Sequence, residues 1–460
     1  MRIGILALGR PTFDVAFAEE KLSLMLAALD QTGHDIIGPR VLLLDEAATR
    51  AAMADLDKAD LDQVLILQVT FTDASITVAV AGQFTQPLSI WAVPEPRLGG
   101  RLRLNAFCGL NLASHALSLN DRGFSWLYAD PAHDVGDDLA ALFSGGREAG
   151  RLEAISTNAG SAEGTRVVAA MKGRKIACIG KHPVGFDTCA YSADTVKTLT
   201  GVTVDALALD DLFDTARAVP AADTNRLRAI VQTQVDGLGD VAQDQLDRSL
   251  SLKGGLETLR ERGDYDAFAI RCWPETFTEY GGAVCGPAAM MGEARVPCAC
   301  EADVYGALTQ LVLQEAANAP VFLTDLVDID VADNTGLVWH CGQAPLSMRD
   351  DTVQPKATVH TNRRQPLLYQ FPLKPGPVTF LRISQSYNTP KMILGYGQML
   401  RRPMAFTGTS GVVQFSRPAE AVLGDIFASG LEHHMALAYG DHRDTLRAVA
   451  TELGLPVLEL

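Results

Sequence analysis

Two similar stretches of the chain decide its fold: Arg2-Ile-Gly-Ile-Leu-Ala-Leu-Gly9 and Arg174-Lys-Ile-Ala-Cys-Ile-Gly180. Each has a basic residue, then a short apolar run, then a glycine. Such a run is typical of a strand that is buried on both faces of a parallel sheet. The second stretch therefore marks the start of a second α/β unit.

Around these two strands, apolar runs alternate with segments of helical spacing, which predicts parallel sheets covered by helices on both faces. In the first unit we expect helices and strands at Ala16–Gln31, Val41–Leu44, Ala47–Leu56, Gln63–Val69, Leu88–Val93 and Phe124–Tyr128. In the second we expect a strand at Val202–Ala206, a long polar helix at Asn225–Leu252 and a strand at Ala267–Arg271.

After about residue 350 the apolar runs become short and are separated by Pro and Gly, which is typical of an antiparallel sheet. The runs are Ala357–His360, Val378–Ser384, Met392–Leu394 and Val412–Phe415, with a helix at Thr445–Leu453. The predicted fold class is α/β: two doubly wound parallel-sheet domains, residues 1–163 and 164–350, followed by a small β-rich C-terminal domain, residues 351–460.

Composition excludes several classes of protein. The chain has 460 residues, of which 47% are hydrophobic and 20% charged, and its net charge is −16. This composition fits a globular protein, and the negative charge argues against binding to nucleic acid or to anionic membranes. No apolar run is long enough to span a bilayer, and a secretory signal is not expected. The eight cysteines are scattered, so we expect reduced thiols and a cytoplasmic location.

Polar residues among apolar ones concentrate between residues 271 and 345. They include Glu275 in Arg271-Cys-Trp-Pro-Glu275, Glu301 in Cys300-Glu-Ala-Asp, Asp325 after Val321-Phe-Leu-Thr, and His340 after Leu337-Val-Trp. We expect Asp325 and His340 at strand ends, a common site position in α/β folds. Each also has a structural interpretation: Glu301 as a helix-start acid, Asp325 as a cap or turn residue, His340 as a hydrogen-bonded structural histidine.

A second polar group is Glu432-His433-His434, beside another apolar run. Adjacent side chains of a strand point to opposite faces, so we expect only one of the two histidines to reach a shared metal. Two carboxylates with one or two imidazoles suit Mn²⁺ or a similar divalent ion. Such a site can polarise a sugar carbonyl while a carboxylate moves a proton between carbons.

Taken in order, Cys-Trp-Pro-Glu275, Cys-Glu301-Ala-Asp-Val-Tyr-Gly, Asp325-Leu-Val-Asp, His340-Cys-Gly and His433-His434 resemble the L-fucose isomerase/L-arabinose isomerase superfamily. The early Leu-Gly-Arg10-Pro-Thr-Phe-Asp resembles its shorter members. The resemblance implies a Mn²⁺-dependent aldose–ketose isomerase that works through a cis-enediol, and a homo-oligomer, hexameric or trimer-based.

Carried over residue by residue, the resemblance implies that Glu301 and Asp325 are the catalytic proton carriers and that Glu301, Asp325 and His434 hold the metal. His340 is implied as a ligand or a substrate contact. Further candidate substrate contacts are Arg10, Trp273, Glu275 and His433. The candidate substrates are L-fucose, L-arabinose and, because the chain is short, sulfoquinovose, a glucose with a sulfonate on carbon 6.

A permanent anion of that kind needs Arg, His or backbone N–H donors. The candidate arginines are Arg10, Arg271, Arg363 and Arg364. Two alternative functions stay open at this point: a non-catalytic sugar-binding protein, and a metal-dependent lyase or epimerase that acts on a sugar acid.

Overall fold

The computed structural model describes residues 1–145, 148–149 and 154–460. Within these residues the chain forms three β-sheets and fourteen α-helices, so the predicted α/β class is confirmed. The helices are α1 Val15–Asp30, α2 Glu46–Leu56, α3 Ser75–Gln83, α4 Ala106–Leu119, α5 Gly136–Phe143, α6 Ala162–Met171, α7 Ala193–Thr200, α8 Leu209–Arg217, α9 Ala221–Gln232, α10 Gln243–Gly263, α11 Cys285–Glu293, α12 Val304–Ala317, α13 Ala419–Ala428 and α14 Arg443–Leu453.

The first sheet has the strand order β2-β1-β3-β4-β5-β6. Its strands are β1 Arg2–Leu8, β2 Asp35–Ile37, β3 Gln63–Gln68, β4 Leu88–Ala92, β5 Phe124–Tyr128 and β6 Glu148–Ala149. The first five are parallel, and β6 pairs with β5 in the antiparallel direction. Helices cover the sheet, which is why β3 and β4 are buried at every residue.

The second sheet is entirely parallel, with the order β10-β9-β7-β8. Its strands are β7 Lys175–Ile179, β8 Thr203–Leu207, β9 Ala267–Ile270 and β10 Cys298–Ala299. The chain leaves the last of these strands through Glu301 and enters helix α12, whose residues 304–314 are all buried.

The third sheet is mixed and mostly antiparallel, with the order β13-β14-β17-β12-β11-β18-β15-β16-β19. Its strands are β11 Phe322–Asp330, β12 Thr335–His340, β13 Lys356–Thr358, β14 Leu368–Pro372, β15 Gly376–Ser384, β16 Lys391–Leu400, β17 Thr409–Phe415, β18 His434–Tyr439 and β19 Val457–Glu459. Two of these strands, β11 and β12, come before residue 350. The predicted domain boundaries stay predictions.

Helix α4 connects the first sheet to the third. Its residues 106–118 are all buried, because the helix packs against β3 and β4 on one side and against β11 and α13 on the other. A helix that is covered all round needs apolar or small residues on every face, which fits its sequence Ala-Phe-Cys-Gly-Leu-Asn-Leu-Ala.

Three sequence expectations about elements were wrong. The strand expected at Val41–Leu44 is reduced to one bridge between Leu43 and Leu8, and the sheet edge is β2 instead. The helix expected over Asn225–Leu252 is two helices, α9 and α10. Helix α9 ends at Gln232 and α10 begins at Gln243; between them Asp236 forms a bridge to Lys356, and Gly237 has a left-handed φ of 73°. Asp325 lies inside β11 rather than at a strand end, because the strand continues to Asp330.

Candidate active site

One cleft brings most of the predicted site residues together. It is lined by residues from all three sheet regions. Its lining includes Arg10, Trp273, Glu301, Asp325, His340 and His433. His434 is buried beside these residues, with its ring centroid 3.9 Å from that of His433. Glu275 is not part of the lining, and its carboxylate accepts a hydrogen bond from Arg271 Nε at 2.6 Å.

Glu301 sits at a sharp turn between β10 and α12. Its φ of 60° and that of Ala302, 55°, are both left-handed, which costs free energy for residues other than glycine. The turn aims the carboxylate at three rings: Oε1 accepts from Trp273 Nε1 at 3.0 Å, and Oε2 lies 2.9 Å from His433 Nε2 and 3.9 Å from His434 Nε2. Burial alone would raise the pKa of Glu301, but the hydrogen bond from His433 and the charge of the two imidazoles bring it down to about 2.

The expectation that only one of the two histidines reaches a shared metal stays a prediction, but both of them lie near the same carboxylate. The reason is that β18 begins at His434, so His433 precedes the strand and does not follow its alternation. Ligand atoms of Cys189, Glu301, His433 and His434 lie within 4.8 Å of one another.

Asp303 holds His434 in place, and sequence reasoning missed this role. Its Oδ2 lies 2.9 Å from His434 Nδ1 and 2.6 Å from Arg382 Nη1, while Oδ1 caps helix α12 by accepting from Gly306 N at 2.8 Å. Burial would raise the pKa of Asp303, but the charge of Arg382 and the hydrogen bond to His434 hold it well below its ordinary value. An ionised Asp303 makes His434 Nδ1 the donor, so Nε2 of the same ring is free to bind a metal.

Asp325 is the second carboxylate of the cleft. In the register of the third sheet it pairs with His434 on β18 and with Trp339 on β12. Its Oδ1 is buried, has no hydrogen-bond partner and lies 3.4 Å from His434 Nε2. Burial raises the pKa of Asp325 to about 7, against the opposing charge of His434.

His340 ends β12, as the sequence predicts. Its Nδ1 accepts from the backbone N–H of Cys341 at 2.8 Å, and its ring lies 5.6 Å from that of His434. Burial holds the pKa of His340 well below its ordinary value, and the charge of His434 acts in the same direction. The structure therefore favours a neutral imidazole, with Nε2 as the proton-bearing nitrogen. Ligand atoms of Asp325, His340 and His434 lie within 4.8 Å of one another.

These residues fit a divalent metal ion. Glu301 and Asp325 belong to two separate groups of potential ligands that share His434, and their carboxylate oxygens lie 3.9 and 3.4 Å from His434 Nε2. Asp325 Oδ1 is buried without a hydrogen-bond partner, and Asp303 fixes the ring orientation of His434. Sequence reasoning found the ligand candidates but not their supports, Asp303 and Arg382. The signal for Asp303 was available, since an Asp directly before the apolar run of α12 is a typical N-cap. Arg382 is 79 residues away from its partner and gave no local signal.

The fold and the cleft define an α/β enzyme that could use a metal and a pair of buried carboxylates. Comparisons with known proteins agree with this class. Residues 4–149 match the model of the fucose/sulfoquinovose isomerase N-terminal domain, and residues 338–460 match the L-fucose isomerase C-terminal domain.

Similar proteins over nearly the whole chain have one activity in common. A sulfoquinovose isomerase of Priestia aryabhattai is 29% identical over 97% of this chain and 96% of its own length. One from Clostridium sp. (strain MSTE9) is 28% identical over 99% of this chain and 98% of its own length. A third, from Alkalicoccus urumqiensis, is 28% identical over 87% of this chain and 86% of its own length.

The chain belongs to the fucose isomerase-like family and is an aldose–ketose isomerase with a sugar substrate. The sequence resemblance to this superfamily is thus confirmed. The alternatives of a non-catalytic binding protein and of a lyase or epimerase gain no support from these matches. Among the described residues, no helix combines the length and apolar character needed to cross a bilayer.

Proposed function

We propose that this enzyme converts sulfoquinovose to the corresponding 2-ketose through a cis-enediol, with Mn²⁺ as its metal. The observation that carries the proposal is that two carboxylates of one cleft, Glu301 and Asp325, lie 3.9 and 3.4 Å from Nε2 of the oriented imidazole of His434. The substrate comes from the names of the relatives that align along nearly the entire chain.

Glu301, Asp325 and His434 Nε2 would hold the ion. When bound, the metal would polarise the C1 carbonyl and acidify the C2 hydroxyl of the sugar. The remaining chemistry belongs to the side chains. One carboxylate removes the proton from C2, and the pair returns a proton to C1. The O2 hydroxyl loses its proton and O1 gains one, so that the aldose becomes the ketose without a net change in atoms.

The hydrogen bonds around Glu301 suit this role. Trp273 donates to one carboxylate oxygen and His433 lies at hydrogen-bond distance from the other, so the group is held in one orientation. Burial raises the pKa of Asp325, so in the metal-free site this carboxyl takes up a proton more readily than an ordinary aspartate. The ring of Trp339 and the thiols of Cys300 and Cys341 are among the groups that line the cleft.

The test is proton exchange with solvent. The enzyme is incubated in D₂O with Mn²⁺ and sulfoquinovose, and deuterium is located by NMR. We expect deuterium at C2 of the aldose and at C1 of the ketose. Turnover without any label would mean a hydride shift and would contradict the enediol. Absence of turnover on sulfoquinovose, with turnover on a neutral aldose, would contradict the substrate.

Two variants test the residues. Glu301→Gln and Asp325→Asn should each lower kcat by a factor of about 10² to 10⁴, the usual contribution of a positioned acid or base. Metal content is measured beside activity, because loss of the ion would lower kcat for a different reason. A variant with full activity would remove that residue from the mechanism. A homo-oligomer and a cytoplasmic location remain predictions from the sequence.

A further inference from the structure

Two arginines from distant parts of the chain approach the same ring in the cleft. Arg10 lies on the loop after β1, and Arg363 lies between β13 and β14. The Cζ atom of each is 5.8 Å from the centroid of the Trp273 ring. Both arginines line the cleft, so two positive charges face one indole inside a half-buried space.

Protein groups balance these charges only in part. Arg10 Nη2 forms an ion pair with Asp73 Oδ2 at 2.7 Å. In the part of the chain that the structure describes, no carboxylate forms an ion pair with the guanidinium of Arg363, and both burial and the charge of Arg10 lower its pKa. A half-buried cation without a counter-ion costs free energy, and an anion bound beside it would offset that cost.

The position of the two arginines relative to Glu301 also bears on what they could bind. Trp273 Nε1 donates to Glu301, while the two guanidiniums lie over the indole ring. Trp273 therefore contacts Glu301 through its Nε1, and the two arginines lie near its ring in the same cleft. Thr12, Thr361 and Asn362 line the same cleft and carry further polar groups.

We propose that Arg10 and Arg363 form an anion subsite that binds a tetrahedral anionic group on the sugar carbon farthest from the reacting pair. Guanidiniums recognise such oxygens through paired N–H donors. The proposal rests on the proposed function for the identity of the sugar only. Sulfonates and phosphates share this chemistry. The other two arginines that the sequence offered do not join the subsite: Arg271 is paired with Glu275, and Arg364 is exposed.

The first experiment compares Arg363→Gln with Arg364→Gln, which removes the same charge from the neighbouring residue outside the cleft lining. The measured quantity is the ratio of kcat/KM for sulfoquinovose to kcat/KM for 6-deoxyglucose. Arg363→Gln should lower this ratio by about 10- to 100-fold, mainly through KM for the charged sugar, since a charge-assisted hydrogen bond is lost. Arg363→Lys should restore part of it. Equal effects on both sugars, or an equal effect of Arg364→Gln, would overturn the proposal.

A second measurement does not depend on turnover, so it separates failure of the subsite from failure of the proposed function. Ethanesulfonate and inorganic phosphate are titrated calorimetrically into the wild type and the same variants. We expect ethanesulfonate to bind the wild type and Arg364→Gln, and to bind Arg10→Gln and Arg363→Gln at least tenfold more weakly. Preference for phosphate would assign the subsite to a sugar phosphate. Absence of binding of either anion to the wild type would overturn the proposal.

Discussion

Replacing Asp303 by Asn tests whether this carboxylate prepares His434 for metal binding. Asn keeps the size of the side chain and can still accept from Gly306 N to cap α12. Its amide nitrogen, however, would face Arg382 Nη1 and His434 Nδ1, both donors, where Oδ2 now lies 2.6 and 2.9 Å from them. The substitution therefore leaves the helix cap intact and removes the acceptor that fixes the imidazole.

Two effects follow, and their sizes differ. Loss of the group that orients a metal-binding histidine typically weakens metal binding 10- to 100-fold, which is about 1.4 to 2.7 kcal/mol. Arg382 is 1% exposed and would lose the charged acceptor that now lies 2.6 Å from its Nη1. Its Nη2 would keep the Thr188 carbonyl at 3.1 Å, and the Glu432 carboxylate would remain 3.9 Å from its Nε. Breaking a buried ion pair of this kind costs about 3 to 5 kcal/mol of unfolding free energy.

The assay measures Mn²⁺ affinity by calorimetry and unfolding free energy by urea titration of the metal-free protein. Asp350→Asn is the matched control, because Asp350 is also buried and accepts from Arg401 Nε at 2.9 Å, but it is not part of the cleft lining. The control should lose stability and keep its affinity for Mn²⁺. Unchanged Mn²⁺ affinity in Asp303→Asn, with the expected loss of stability, would show that Asp303 only balances Arg382.

Three further outcomes are expected. Removal of the metal with a chelator should abolish turnover, and added Mn²⁺ should restore it. Mn²⁺ at 100 times its Kd should also raise the free energy of unfolding by about 2.7 kcal/mol. A denaturation midpoint that does not change when Mn²⁺ is added would contradict metal binding at this site. Trp273→Phe removes the hydrogen bond to Glu301 and should lower kcat by about 5- to 30-fold, whereas Trp126→Phe, outside the cleft lining, should not. Burial raises the pKa of Glu95 from 4.5 to about 7, so the folded state keeps a proton that the unfolded state releases. Relative to Glu95→Gln, the wild type should therefore lose about 3 kcal/mol of unfolding free energy as the pH rises from 4.5 to 7. A stability difference between the two proteins that does not change with pH would refute this.

Most of the fold could be predicted because its strands are continuous apolar runs. Strands such as β4 and β5 were predicted to within a residue or two, since parallel strands that are covered on both faces leave a strong local signal. The failures have local causes. The three-residue edge strand β2 is only partly buried and its sequence, Asp-Ile-Ile, is too short to stand out. The segment between α9 and α10 forms a bridge from Asp236 to Lys356, a long-range pairing that helical spacing does not reveal.

Only those residues of the candidate site that stand out within their own stretch of sequence could be predicted. Glu301, Asp325, His340 and His434 stand out because they are polar residues within apolar runs, and the structure brings all four together. Asp303–Arg382 and Arg10–Trp273 join residues far apart in the chain. The spacing and composition of a single sequence do not show which distant residues come into contact.

The distance between two of the ligand candidates is set by strand register rather than by loops. Asp325 on β11 is directly opposite His434 on β18, so the two side chains share one face of the third sheet. A slip of one residue would place Thr324 or Leu326 opposite His434 and turn Asp325 to the other face. The apolar partners along the same pair, such as Phe322 opposite Leu437, are buried and would resist the slip. The packing of the third sheet thus fixes the Asp325–His434 geometry, while Glu301 depends on the strained turn before α12. We therefore expect the position of Glu301 to be more sensitive to neighbouring substitutions than that of Asp325.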